Sequence, residues 1–356
     1  MESLPDKGDL GGCIKINNLT LMNNFWKKLK RPIFCLAPMA DVTDCAFRRI
    51  VAKYSRHGGV GGPDIFWTEF VSADGLAHPK AQKKLLIDLK FSKKEHPIVA
   101  QLFGSNVENM KKASALCKKL GFDGIDINMG CPDKSVEKQN SGAAMIKNPK
   151  LAREIIRAAR EGANGLPISV KTRIGYGKNE IETWIRKLLL EEDLSALTVH
   201  LRTRKEMSGV SAHWELMKRI VKIRDEIKSK TLIIGNGDVG DIEEAKQKIK
   251  ETGCDGVMFG RAIFGNPWLF SRRKKQDLKS LKSSCFKERL SVLIEHAKLF
   301  EKMLGKTKSF NIMKKHFKAY VNDFPGAKEL RTKLMDTKNA REVEKIIKDF
   351  LKNIKN

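Results

Sequence analysis

Short runs of apolar and β-branched residues recur along the first three quarters of the chain. The stretches between them carry apolar positions at helical spacing. The runs predict strands at 32–39, 64–72, 97–104, 122–130, 166–175, 194–202, 231–239 and 254–263. Their starts lie 23 to 44 residues apart, which leaves room for a crossover helix in every interval. Segments such as VENMKKASALCKKLG and DIEEAKQKIKETG, each closed by glycine, supply those helices. Eight β-α units in about 240 residues match an α/β fold of the (β/α)8 barrel type, with an open doubly wound sheet as the alternative.

After Trp268 the strand-like runs stop. Residues 286–356 read as three or four amphipathic helices, interrupted at Gly305 and at the FPG turn, 324–326. SRRKKQDLKSLKSS (271–284) reads as a basic linker or a short barrel-capping helix. The expected division is an N-terminal extension (1–30) with no predicted element, a catalytic barrel (31–280), and a small all-α domain (281–356).

Charge changes the picture more than composition does. The 356 residues hold 69 Lys and Arg against 42 Asp and Glu, a net +27. Residues 271–356 alone hold 24 against 10, so +14 falls on 86 residues and only +13 on the other 270. A field of that sign attracts polyanions and says nothing about fold. Charge alone leaves RNA binding and a merely solvated helical surface both open. No run approaches the roughly 18 apolar residues of a membrane span. Met1 to Lys30 has no signal-peptide core, and seven scattered cysteines suit a reducing compartment, so a cytoplasmic location is expected; a monomer is the expected state. With no Cys-x-x-Cys or His-x-x-x-His spacing, no metal site is expected.

In barrels of this kind the chemistry sits at the C-terminal ends of the strands. Residues i and i+2 of a strand share a face, and four predicted strands end in polar pairs at that spacing. These are Asp126/Asn128, Lys171/Arg173, His200/Arg202 and Asn236/Asp238. Each pair alone could be a surface strand end; four at one rim predict a polar, cationic active site. Cys131 follows in NMGCP, on a loop at that rim. Cys35, Cys45, Cys117 and Cys254 lie in apolar or helical settings and read as small buried hydrophobes. A rim thiol can serve as nucleophile or general acid, and the lack of a Cys-His-Asn arrangement favours the acid.

GNGDVG (235–240) is a formal G-x-G-x-x-G, but six strand-helix units precede it, whereas a dinucleotide fingerprint opens its fold. The loops carrying Gly237 and Gly260-Arg261 instead suit a barrel phosphate cup, which fits a cofactor ending in one phosphate, such as FMN.

Taken together, LAPMADVTDCAFR (36–48), TEFVSADGL (68–76), QLFG (101–104), DINMGCP (126–132), VKTRIG (170–175), NGDV (236–239) and FGRAIFGNPW (259–268) resemble one family. It is the flavin-dependent tRNA-dihydrouridine synthases, and MKKHFKAYVNDFPGAKELRTKL (313–334) is similar to that family's RNA-binding helical domain. The resemblance implies that Pro38, Met39, Ala40 and Gln101 meet the flavin ring of FMN, and that Lys171 and His200 flank flavin and uracil. It further implies that Asn236, Gly237, Asp238, Gly260 and Arg261 hold the ribityl phosphate. Asn128 and Arg173 would orient the base, and Cys131 would protonate C5 after hydride reaches C6, with NADPH as reductant. The target base would be extruded from folded tRNA into the mouth. Lys314, Lys315, Lys318, Lys328, Arg331 and Lys333, clustered around one predicted helix-turn-helix, are the expected tRNA phosphate contacts. Leu201 departs from the small residue common in the family and is expected to point away from the mouth. The rival readings are an FMN barrel acting on a free pyrimidine and a non-catalytic tRNA-binding protein.

Overall fold

The computed structural model describes residues 24–58, 61–191, 193–271 and 275–354. Its strands are β1 (Ile33–Leu36), β2 (Phe66–Trp67), β3 (Val71–Ser72), β4 (Ile98–Phe103), β5 (Gly124–Met129), β6 (Ile168–Arg173), β7 (Ala196–His200), β8 (Leu232–Asn236) and β9 (Gly256–Phe259). They pair in parallel in the order β1-β9-β8-β7-β6-β5-β4-β2, with β3 also on β4. A parallel bridge from Cys35 to Ile65, and a 2.7 Å bond from the Asp64 N–H to the Phe34 carbonyl, join β1 to the β2 side and close the circle. The open-sheet alternative is thereby excluded.

Every strand is shorter than its apolar run, because the flanking Pro, Gly and Asp positions turn into loops. The run at 64–72 becomes two short strands. Between them the Thr68 hydroxyl accepts the Gln101 N–H at 3.1 Å, and Glu69 accepts the Asp41 N–H at 2.6 Å. The Thr68 N–H still reaches the Val99 carbonyl at 3.0 Å, and the side-chain bonds stand in for the rest of the ladder.

The strands are buried on both faces, as parallel strands under helices must be. Ile33, Cys35, Trp67, Val99, Ile234 and Met258 fill the barrel interior. Trp26, on a 3-10 turn at Phe25–Lys28, closes its lower end, 6.0 Å from the Trp67 ring. This turn lies in the segment for which sequence offered no element, and Asn24 ties it to Ser195 at 3.0 Å.

The helices around the barrel are α1 (Cys45–Tyr54), α2 (Ala73–Ala77), α3 (Pro79–Leu85), α4 (Val107–Lys119) and α5 (Lys134–Glu137), then α6 (Pro149–Ala163), α7 (Arg186–Glu191), α8 (Met217–Glu226) and α9 (Ile242–Thr252). Beyond them come α10 (Lys275–Leu304), α11 (Met313–Tyr320), α12 (Ala327–Met335) and α13 (Ala340–Asn353). α10 runs unbroken across position 280 and stops at Gly305, where a Cβ would lie 2.6 Å from the Glu301 carbonyl.

The helical domain does not stand apart. Leu293, Ala297, Phe300, Phe317, Leu330 and Val343 form one apolar cluster with Cys45, Ala46 and Ile50 of α1 and with Trp268. Lys53 and the Tyr54 hydroxyl both reach Glu295 at 2.7 Å, and Lys308 reaches Glu69 at 2.9 Å and Asp88 at 2.6 Å. At Gly265 (φ +69°) a side chain would collide with the Ala319 carbonyl, so the barrel backbone itself abuts α11. Within this seam the rings of His296 and His316 lie 4.5 Å apart against Phe47, and none of their four ring nitrogens has a hydrogen-bond partner. Burial holds both histidines neutral, and His316 is pushed down to about 3.

Candidate active site

Strand register assembles the rim. Asn128 of β5 lies beside Lys171 of β6, Arg173 beside His200 of β7, and His200 beside Asn236 of β8. A cavity of about 360 Å³ opens there, within the roughly 300–1,000 Å³ usual for small-molecule sites. Its wall brings together Pro38, Met39, Lys171, Arg173, His200, Asn236, Gly237, Asp238, Gly260 and Arg261, all of them candidates from sequence. Arg202, Met207 and Ser208 complete one side.

The other candidates stand outside that wall. Ala40 is exposed on the loop after β1. Gln101 is buried at its strand position, where its Nε2 donates to Asp126 at 2.7 Å and its Oε1 accepts from Asn128 Nδ2 at 3.0 Å. Asn128 Oδ1 accepts the backbone N–H groups of Gly130 (3.1 Å) and Cys131 (2.9 Å). Each amide keeps spare capacity, since an amide oxygen has two lone pairs and an amide nitrogen two hydrogens. Leu201 is fully buried in the main core, as expected from its position.

Arg173, at the end of β6, ties the loop after β5 to the loop after β7. Its Nε donates to the Gly130 carbonyl at 2.8 Å, and its Nη1 to Thr203 at 3.1 Å and Met207 at 3.3 Å. Arg204 grips Glu137 of α5 through both carboxylate oxygens, at 2.9 and 3.0 Å from Nε. The loop after β7 is thus fastened to the helix that follows Cys131. Gly142, at φ +61°, lets the chain pass close to Cys131, whose carbonyl accepts the Ala143 N–H at 2.9 Å.

Electrostatically the pocket is lopsided. Lys171, Arg173, Arg202 and Arg261 face one carboxylate, Asp238. Burial alone would raise Asp238, but the Ala212 N–H and the two guanidiniums outweigh it and hold the carboxyl below its usual range. Asp238 bridges Arg202 and Arg261, the latter at 2.5 Å. Burial first, then Arg173, pushes the Lys171 amine down to about 8. Burial and the four surrounding cations depress His200 far below its ordinary value, so its ring is neutral. Arg202 Nη1 must donate to His200 Nε2 across 3.2 Å, which assigns the histidine proton to Nδ1. Burial also pushes the Cys131 thiol up, so Sγ keeps its proton at neutral pH. Beneath them Asp126 is raised by burial to about 6, despite hydrogen bonds from Ser169 and Gln101.

Among the described residues no group of three or more His, Cys, Asp or Glu side chains could hold a metal ion, and no helix is long and apolar enough to cross a membrane. Of the expected RNA contacts, Lys315, Lys318, Lys328 and Lys333 are exposed and Lys314 is half-buried. Lys315 pairs with Asp41 on the barrel rim at 2.9 Å, whereas Arg331 donates to the Val321 carbonyl at 2.7 Å and braces its own domain.

A closed parallel barrel with a net-positive mouth, a protonated loop cysteine beside it and basic helices on its flank defines a barrel with a polar, cationic site at the C-terminal ends of its strands. The family model described as "Dihydrouridine synthase (Dus)" matches residues 35–355. A probable tRNA-dihydrouridine synthase of Staphylococcus aureus is 41% identical over 332 residues, spanning 93% of this chain and 96% of that protein. The probable tRNA-dihydrouridine synthase 2 of Bacillus subtilis is 41% identical over 333 residues, 93% and 97% of the two chains. The chain belongs to the dihydrouridine synthase family. Among solved structures, morphinone reductase in complex with tetrahydroNAD is similar with a TM-score of 0.44 and 15% identity, over 67% of this chain and 84% of that one.

Proposed function

We propose that this protein reduces uridine in tRNA to 5,6-dihydrouridine, with FMN as its flavin and NADPH as the reductant. The observation that carries the reading is the rim itself: four cations against one carboxylate, beside a cysteine that keeps its proton. The excess of positive charge across the rim, with Arg261 on the loop after β9, suits a phosphate-ended cofactor, and the donor set fits FMN in kind. Pro38 and Met39 would face its ring with Gln101 at the polar edge and Ala40 just beyond. Asn236, Gly237, Asp238, Gly260 and Arg261 would take its ribityl phosphate.

When bound, the flavin supplies the hydride that ends on C6 of uracil, having been reduced by the nicotinamide. The chain's own residues do the rest. Lys171 and the free N–H of Asn128 stabilise charge that develops on the uracil carbonyl edge. Neutral His200 offers its Nδ1–H rather than a second positive charge, and Arg173 holds the loops around the base. Cys131 Sγ gives its proton to C5, which balances the added hydride. Lys314, Lys315, Lys318, Lys328, Lys333 and, through its bracing of the domain, Arg331 would position the RNA by its phosphates.

The test is direct. Purified protein should carry flavin absorbance and, with NADPH, convert uridine to dihydrouridine in an unmodified tRNA transcript. A colourless protein, or one that reduces free uracil but no tRNA, would overturn the reading.

A further inference from the structure

A second cavity of about 1,000 Å³ lies far from the mouth, where the end of α1, the loop before β4 and the middle of α10 meet. Arg56 follows α1, and Lys93 and Lys94 precede β4, so this groove opens toward the opposite end of the barrel from Cys131. Five cations face it: Arg49, Lys53, Arg56, Lys93 and Lys94. Its one carboxylate, Glu295, is already taken by Lys53 and Tyr54. Among the described residues Arg56, Lys93 and Lys94 are exposed with no carboxylate in ion-pair range. Arg49 stands 3.9 Å from Glu95, whose carboxylate is engaged by Arg48, and Arg49 Nε is shielded from water without an acceptor.

Such a site is short of negative charge and, at about 1,000 Å³, larger than a single phosphate fills. Among the described residues no Phe, Tyr or Trp lines it; its two rings, His57 and His96, already pack edge-on against Phe66 and Phe91 and are tied to the His96 carbonyl and to Asp123. A cluster of cations suits a phosphate backbone, and duplex RNA is met largely through backbone and shape. The groove is continuous with the helical domain through α10. It lies about one strand length, roughly 20 Å for β4, from the rim, within reach of a folded RNA limb.

We propose that this groove is a second RNA-backbone site, taking phosphates of a duplex limb of the same tRNA whose target base enters the mouth. The proposal rests on the tRNA reading above. It makes the long axis of the substrate run down the flank of the barrel as well as across the helical domain.

The experiment uses the full-length holoprotein carrying Arg56→Glu, Lys93→Glu and Lys94→Glu, three exposed changes outside the mouth. Binding of full-length tRNA and of a short hairpin containing the target uridine is measured across a salt series. For full-length tRNA, affinity should fall at least tenfold, and the log–log salt slope should flatten by about two to three units, near 0.7–0.9 per lost phosphate contact. Hairpin binding, flavin content, NADPH oxidation and melting temperature should match wild type. An unchanged slope for full-length tRNA would overturn the groove, as would an equal loss for hairpin and tRNA. Failure of the functional reading looks different: wild-type protein would bind tRNA and form no dihydrouridine, while the slope comparison would still report on the groove.

Discussion

The side-chain oxygen of Asn128 accepts the backbone N–H of Cys131 at 2.9 Å, so the last polar residue of β5 fixes the loop that carries the thiol. Cys131→Ala should leave reduction of the bound flavin by NADPH near wild type. Dihydrouridine formation should fall about 10²–10⁴-fold, the usual worth of a positioned acid. Asn128→Ala should also slow that step, because the loop is loosened and a donor to the uracil carbonyl edge is lost while the thiol is retained. Single-turnover assays on tRNA separate the two half-reactions; wild-type turnover in Cys131→Ala returns the cysteine to a packing role.

Arg261 reaches across to Asp238 at 2.5 Å and is otherwise largely exposed over the phosphate loops. Arg261→Glu places a second carboxylate where an anion is to be held. The purified variant should emerge largely free of flavin, as read from its visible spectrum. Full occupancy would show that the phosphate is held elsewhere.

The buried pair His296 and His316 makes the seam sensitive to acid. In the folded chain both stay neutral well below the ordinary value, while an unfolded histidine protonates near pH 6.5. The unfolded state therefore binds more protons from about pH 6.5 down toward pH 3, and stability falls through that window as pH drops, by up to about 1.4 kcal/mol per pH unit per histidine. Replacing both by Leu should flatten the decline of melting temperature between pH 6.5 and 4.5. It should also raise stability at neutral pH by removing unpaired buried nitrogens. Parallel pH curves for variant and wild type would refute the assignment.

Removing residues 286–356 would uncover Cys45, Ala46, Ile50 and Trp268 together. The shortened barrel should therefore aggregate on expression, and a soluble flavin-bearing barrel would contradict the shared core. Point changes dissect RNA binding better. Lys318→Glu should weaken tRNA binding and flatten the salt slope by roughly 0.7–0.9, one phosphate contact. Arg331→Ala should instead lower the melting temperature, since its guanidinium holds the Val321 carbonyl.

The rim was legible because strand periodicity is rigid: Lys171 and Arg173, or His200 and Arg202, must share a face whatever else the chain does. The eight-unit barrel was legible for the same reason. The broken second strand was not, since Thr68, Glu69 and Phe70 continue the run and the break shows only where the backbone N–H of distant Gln101 turns to the Thr68 hydroxyl. Trp26 as a plug was invisible because its partner, Trp67, lies in another unit. Basic residues at 314–333 were visible as charge, but charge does not name its partner: Lys315 found Asp41, and Arg331 found a carbonyl. The outer face of α1 read like any barrel helix, so its fusion to the helical domain emerged only from packing.

That fusion also dictates the order in which the molecule can be completed. Lys53 and Glu295, which meet at the seam, are 242 residues apart in the chain. Synthesis proceeds from the N-terminus, so the apolar outer face of α1 is made early and covered only after α10 and α11 have left the ribosome. Contacts so remote in sequence form late and slowly. Until then the nascent barrel displays an uncovered hydrophobic stripe, the kind of surface that chaperones shield.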